Sequence, residues 1–151
     1  MIKAELTNMV MVQDEKTGKV LVLDRVKRWK GFSFPGGHIE TGESFSDSAV
    51  REIKEETGLI ISNLRLCGVV SWSKTENDDR YIEFLYKSTD FCGTLIEETD
   101  EGKVFWLEPE KLFGREYENN FHIYFPLFFE EKFSEAFGIW RDGTPVSVVY
   151  K

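Results

Sequence analysis

The sequence predicts an α/β fold in which a mixed β-sheet lies between helices. Three observations lead there. Short apolar, β-branched runs outnumber helical stretches, the helical stretches are scattered among them, and strong turn signals separate neighbouring runs. In chain order, residues 6–12 are apolar and β-branched, a first strand. The stretch Asp14-Glu15-Lys16-Thr17-Gly18 reads as a turn into a second strand at 20–23, so the two are expected to form a hairpin. Residues 27–37, rich in glycine, proline and aromatics, predict a loop around a short strand at 32–34. A helix is expected over 43–57, with Thr41 as its N-terminal cap and Gly58 as its stop. Further strands are expected at 64–72, 81–87 and 104–107, and one helical turn at 109–112. Residues 121–131 predict a second helix, since Phe125, Phe128 and Phe129 are spaced for one face. Strands at 133–141 and 144–150 flank Asp142-Gly143, a two-residue hairpin signal.

Size and composition narrow the classes of function. A chain of 151 residues fits one domain with its own core. No run of 18 apolar residues occurs, so no membrane span is expected, and Met1-Ile2-Lys3-Ala4-Glu5 has no secretory character. Two cysteines, Cys67 and Cys92, are expected as reduced, half-buried strand residues, which points to the cytoplasm. The net charge of −8 argues against a long nucleic acid, whose backbone needs clustered Lys and Arg. Such a chain can still act on a phosphate ester if divalent cations sit between its carboxylates and the substrate.

The informative stretch is GHIETGESFSDSAVREIKEETGL, residues 37–59. At 100° per residue, Glu52, Glu55 and Glu56 stand at i, i+3 and i+4 and share one helical face. An apolar stripe of Ala49, Val50 and Ile53 lies beside that face, so the acids border the buried side, where a cleft would run. Like charges at this spacing repel in a bare helix, and a hard cation with oxygen ligands reverses the sign. Arg51 can pair with Glu55 one turn on, or reach back to Glu43 and lock the loop to the helix. Gly36 and Gly37, after Pro35, would let main-chain carbonyls approach as further oxygen ligands. REIKEE alone is an ordinary solvated helix face. The whole pattern of fixed residues arises by chance in on the order of one in a million such chains.

This stretch is similar to the Nudix box: Gly37, five residues, Glu43, seven residues, then Arg51-Glu52-Ile53-Lys54-Glu55-Glu56-Thr57-Gly58-Leu59, with no departure. The preceding Phe34-Pro35-Gly36-Gly37 and the strand order extend the resemblance over most of the chain. The resemblance to Nudix hydrolases implies an α/β/α sandwich and Mg²⁺-dependent hydrolysis of a nucleoside diphosphate linked to another moiety, with Mn²⁺ as a substitute. It implies Glu52, Glu55, Glu56 and Arg51 as catalytic residues, and Glu52, Glu55, Glu56 and a carbonyl of Gly36 or Gly37 as metal ligands, with Glu52 also placed for a general base. Glu101, among four acids between Glu97 and Glu101, falls where members supply one more metal-binding acid. Arg25 matches a position that contacts substrate phosphate.

For the substrate, similarity to purine-triphosphate-cleaving members puts Trp72 and Tyr81 on the pocket wall and Ser33 near its floor. The stretches Trp106-Leu107-Glu108 and Asn119-Asn120-Phe121-His122 are similar to the 8-oxo-dGTP diphosphatase branch, which sanitises nucleotides in support of DNA repair. That branch reads the base with two adjacent aspartates; Asn119 and Asn120 stand here instead, and an asparagine can both donate and accept. The first expectation is therefore a nucleoside triphosphate pyrophosphohydrolase acting on small nucleotides, as monomer or homodimer. The alternatives are hydrolysis of a nucleotide sugar, ADP-ribose or dinucleoside polyphosphate, and a non-catalytic nucleotide-binding regulatory module. An RNA-end-processing member is a further competitor, against which the net charge of −8 and the lack of a basic patch argue. Metal-dependent pyrophosphate release from mononucleotides separates the first expectation from that competitor and from the regulatory module.

Overall fold

Residues 1–151 are described by a computed structural model. Strand β1 (Ala4–Val12) runs into β2 (Val20–Arg25), and β3 (Gly31–Ser33) follows a five-residue loop that carries Lys27, Arg28, Trp29 and Lys30. Helix α1 (Phe45–Thr57) leads to β4 (Leu59–Ser62), β5 (Arg65–Lys74), β6 (Arg80–Ser88) and β7 (Asp90–Gly93). After β8 (Glu98–Thr99) and β9 (Gly102–Leu107) come a 3₁₀ turn at Pro109–Leu112 and another at Phe121–Tyr124. The second runs into the short α2 (Phe125–Phe129), and β10 (Glu135–Arg141) and β11 (Thr144–Tyr150) follow.

A mixed five-stranded sheet has the order β1-β6-β5-β10-β11, with β1/β6 and β5/β10 parallel and the other pairs antiparallel. A four-stranded antiparallel sheet, β3-β2-β9-β8, stands beside it, and β4 and β7 form a separate ribbon. The expected hairpin of the first two strands is corrected here. Asp14 and Lys19 close a turn, with Gln13 bridging Val20, but β1 and β2 then part into different sheets. Each finds a longer partner elsewhere, β1 on β6 and β2 on β9.

Strand periodicity sorts the core into two layers. Val10, Val12, Leu21 and Leu23 pack with Ala49 and Ile53 of α1. Their neighbours Met11, Val20 and Val22 face the other way, onto Phe34, Phe121, Phe125 and Phe128. The sheets are thus covered by α1 on one side and by the aromatic C-terminal helical segment on the other. That second element is a 3₁₀ turn followed by five helical residues, not the continuous helix expected over 121–131. Pro126 starts α2, and the fully buried Phe34 meets Phe121 and Phe128 edge-on at 4.9 and 5.0 Å.

Other expectations move by a few residues. Ser44, not Thr41, caps α1, accepting from the Asp47 N–H at 3.0 Å, so the helix begins at Phe45. Gly58 ends it in the left-handed region at φ 79°, as the stop signal predicts. Asp142 and Gly143 are both left-handed, at φ 51° and 78°, and turn β10 into β11. Both cysteines are free, but Cys92 is exposed instead of half-buried. No helix is long and apolar enough to cross a membrane.

Candidate functional site

One edge of β1 pairs with β6; residues 35–39 run along the other. Asn8 N–H donates to the Gly37 carbonyl at 2.9 Å, Val10 N–H to Pro35 at 2.9 Å, and Ile39 N–H to Leu6 at 3.0 Å. The approach is so close that a Cβ on Gly36 would lie 2.2 Å from the Asn8 carbonyl oxygen, and one on Gly37 would lie 2.4 Å from the Glu52 carboxyl carbon. Main chain leaves room only for glycine at Gly36, whereas at Gly37 the Glu52 side chain would have to move. Buried Asn8 pins the arrangement, its Nδ2 donating to Ser48 Oγ of α1 at 2.7 Å and its Oδ1 accepting from Gly37 N–H at 3.2 Å. The Gly37 carbonyl is thereby engaged, whereas that of Gly36 accepts no protein hydrogen bond.

The acids of α1 divide by environment. Glu56 is buried and accepts from Gly36 N–H at 3.1 Å. Burial pushes its carboxyl up to about 7, against the opposing pull of Arg25 and that hydrogen bond. Glu52 is also raised, chiefly by burial. Glu55 is exposed, and Arg51 draws it aside at 3.1 Å. Arg51 makes both contacts expected of it and more: Nε meets Glu43 at 2.5 Å, and the outer nitrogens reach Glu52 at 3.0 Å and the His38 carbonyl at 3.0 Å. Its guanidinium therefore ties the loop to the helix and neutralises part of the acid face. The Arg51 hydrogen bond is also the main reason Glu43 is held low.

A groove of about 400 Å³ is lined by Glu52, Glu55, Glu56, Thr99, Asp100 and Glu101. It joins a larger cleft of about 590 Å³ through the shared Glu52, Glu56 and Glu101. Arg25, Ser33, Trp72, Tyr81, Asn119 and Asn120 all line that cleft, together with Gly36 and Gly37. Arg25 donates from Nε to Ser33 Oγ at 2.9 Å, while its two outer nitrogens have no protein acceptor. Its charge opposes the upward push that burial gives the carboxyls of Glu56 on the acid side and Glu83 on the aromatic side, so it acts on both. Asn119 is already committed: Nδ2 donates to the carbonyls of Trp29 and Phe32 at 3.1 and 3.0 Å, and Oδ1 accepts from Phe121 N–H. It shapes the cleft by fastening the β2–β3 loop to the C-terminal segment. Asn120 lies in the left-handed region at φ 62°.

Two cleft residues have no role assigned from sequence: Trp140, one aromatic among several, and Glu83. Trp140 of β10 stands edge-on to both Trp72 and Trp29, at 5.6 and 5.8 Å. Glu83 of β6 is buried at the cleft wall and hydrogen-bonded by the Tyr124 hydroxyl. The available signal was parity: Glu83 shares a strand face with the fully buried Leu85, an unusual place for a carboxylate.

The donor set of the acid groove is oxygen throughout, the chemistry of a hard divalent cation. Half-buried Glu52 and buried Glu56 are like charges that Arg25 and Arg51 only partly compensate, and the Gly36 carbonyl is unengaged beside them. The residues fit such an ion, although no three His, Cys, Asp or Glu side chains already stand in metal-holding geometry.

The family model described as NUDIX domain matches residues 5–127. The chain is 36% identical over 105 residues to the Nudix hydrolase YvcI of Bacillus subtilis, covering 67% of this chain and 63% of that protein. It is 38% identical over 92 residues to an ADP-ribose pyrophosphatase of Methanocaldococcus jannaschii, covering 59% and 53%. With an oxidized purine nucleoside triphosphate hydrolase of Danio rerio it shares 26% over 106 residues, covering 70% and 65%. In each case the match spans less than two thirds of the relative's own length. A MutT protein from Bacillus halodurans has the same fold, with a TM-score of 0.79 at 23% identity over 97% of both chains.

Proposed function

The chain belongs to the NUDIX domain family, and from that premise we propose that it hydrolyses a nucleoside triphosphate to a monophosphate and pyrophosphate, with oxidised purine nucleotides among its substrates. The observation that carries the reading is continuity. The acid groove of α1 opens into a cleft walled by Trp72 and Tyr81, with the charge of Arg25 acting on both parts. A phosphate chain can lie on the acid side while its base stacks on the aromatic side.

Glu52, Glu55, Glu56, Glu101 and the Gly36 carbonyl would hold Mg²⁺ or Mn²⁺. When bound, such an ion neutralises charge developing on the phosphoryl oxygens and acidifies a water. The chain's own groups do the rest. Arg25 binds phosphate oxygens through its two outer nitrogens. Glu52 takes the proton of the attacking water at its carboxylate, an effect worth roughly 10²–10⁴-fold. Water attacks the β-phosphorus, the bond to the α,β-bridging oxygen breaks, and the monophosphate leaves. Arg51 positions Glu52 and Glu55 through the bonds described above.

The test is pyrophosphate and monophosphate release, with and without Mg²⁺, from the ordinary dNTPs, 8-oxo-dGTP, ADP-ribose and a dinucleoside tetraphosphate. Metal-dependent pyrophosphate release from a triphosphate is expected. Glu55→Gln and Glu56→Gln should each lower turnover by several orders while leaving the melting curve cooperative. Near-normal activity in both variants would refute the assignment. A second reading is favoured by the 38% identity to the ADP-ribose pyrophosphatase: the same acids would then cleave ADP-ribose to two monophosphates, without pyrophosphate.

A further inference from the structure

Beyond the acids, the cleft holds one buried carboxylate that the proposed hydrolysis does not use. Glu83 lies on the wall that also carries Trp72, Tyr81 and Tyr124. The proton order in this cluster follows from donor chemistry. The Trp72 indole N–H is a donor only, and it reaches the Tyr124 oxygen at 3.2 Å. That oxygen therefore accepts from Trp72, and the single Tyr124 proton is directed at Glu83 Oε2. One carboxylate oxygen of Glu83 is satisfied in this way. The carboxyl also feels the Trp72 N–H, and apart from these two donors no protein group hydrogen-bonds it, on a residue that borders the cleft.

A carboxylate held so, beside two aromatic rings suited to stacking, is an acceptor waiting for N–H donors in the plane of a ring. From this geometry we infer that Glu83 is a specificity-determining residue that selects a base presenting adjacent N–H donors, the N1–H and N2–H₂ edge of a guanine-type purine. Adenine offers the lone pair of N1 at the same place and is turned away by the anionic oxygen. Burial pushes the Glu83 carboxyl up to about 7, against the opposing pull of its hydrogen-bond donors and Arg25, so the ionised acid that the guanine edge requires is the form present above that value, and binding is compared at pH 8. Tyr124 and Trp72 are positioning residues, since their donors hold the carboxyl. The inference rests on the nucleotide-hydrolase reading for the place of the base, but not on its chemistry.

The experiment is calorimetric titration of the metal-free full chain with GMP and with AMP, for the parent protein and for Glu83→Gln and Tyr124→Phe. The parent is expected to prefer GMP by about tenfold or more, the discrimination that hydrogen bonds to a charged acceptor provide. Glu83→Gln, whose amide can donate to adenine N1, should bring the two affinities close to parity. Tyr124→Phe keeps the carboxylate but frees its orientation, so it should narrow the preference without abolishing it; it also serves if Glu83→Gln fails to fold. A parent without preference, a parent that binds neither nucleotide, or variants that keep the parent's ratio would each overturn the inference. GMP selectivity with no triphosphate cleaved would fail the reaction and leave this recognition standing. Metal-dependent cleavage with an unchanged GMP to AMP ratio in the variants would do the reverse.

Discussion

Arg51 and Glu83 show how differently single residues can be legible. Arg51 stands inside a motif whose spacing announces it, and its bonds to Glu43, Glu52, Glu55 and His38 complete what the spacing suggests. Replacing it with Met should therefore lower both the melting temperature and turnover, because one loop anchor and the partner of two acids go together. Arg51→Lys should rescue little of either, since an ammonium cannot reproduce the forked contacts; thermal melts and steady-state rates on both variants check this. Glu83 has no motif around it, and only a strand-parity argument could have drawn attention to it. Burial pushes its carboxyl up to about 7 from an ordinary 4.5, so between those values the folded chain binds more protons than the unfolded one. Glu83 thus contributes stability that is complete below about 4.5 and lost as pH rises to about 7. The loss is up to about 3 kcal/mol. Melting the metal-free protein at pH 5 and pH 8 should show Glu83→Gln narrowing the difference between the two. An undiminished difference would place the charge elsewhere.

At the scale of elements, helix α1 was the part most open to reading. Its period of 3.6 puts Ala49 and Ile53 fully inside while Glu52 and Glu56 border them, and Gly58 stops it where expected. Its start was misplaced because Thr41 and Ser44 are both capping residues, and only the Asp47 hydrogen bond decides between them. Strands β4, β7 and β8 were not legible at all: runs of two to four residues are too short to display a period. The 35–39 segment offers a test of its own. Gly36→Ala would press a Cβ into the Asn8 carbonyl, which is main chain and cannot swing away. It should destabilise the fold by roughly 1–3 kcal/mol and displace the segment from β1. Gly37→Ala meets the Glu52 side chain instead, so it should lower turnover more than it lowers the melting temperature.

For the molecule as a whole, the layered α/β class was readable from element order, but the partition into two sheets was not. A turn signal between two apolar runs says that the chain reverses; it does not say which strand each run will choose. Here β1 prefers β6 and β2 prefers β9, partners more than seventy residues away in sequence. The cleft forms from that long-range choice. Its aromatic wall comes from β5, β6 and β10, its acids from α1, and Arg25 and Ser33 from β2 and β3. That is why the motif disclosed the acids, while Trp140 and the Glu83 cluster came to light only in three dimensions.

The parallel pairing of β1 with β6, and of β5 with β10, has a consequence for synthesis. On a ribosome adding roughly 5–20 residues per second, the first strand waits on the order of ten seconds before its hydrogen-bonding partner has been made. Until then its apolar residues and open edge are available to chaperones, or to another nascent copy. The acid helix is complete early, yet Tyr124 and Trp140, which finish the pocket, are among the last parts to emerge. A growing chain therefore carries the acids of α1 well before the aromatic wall of the cleft they border exists.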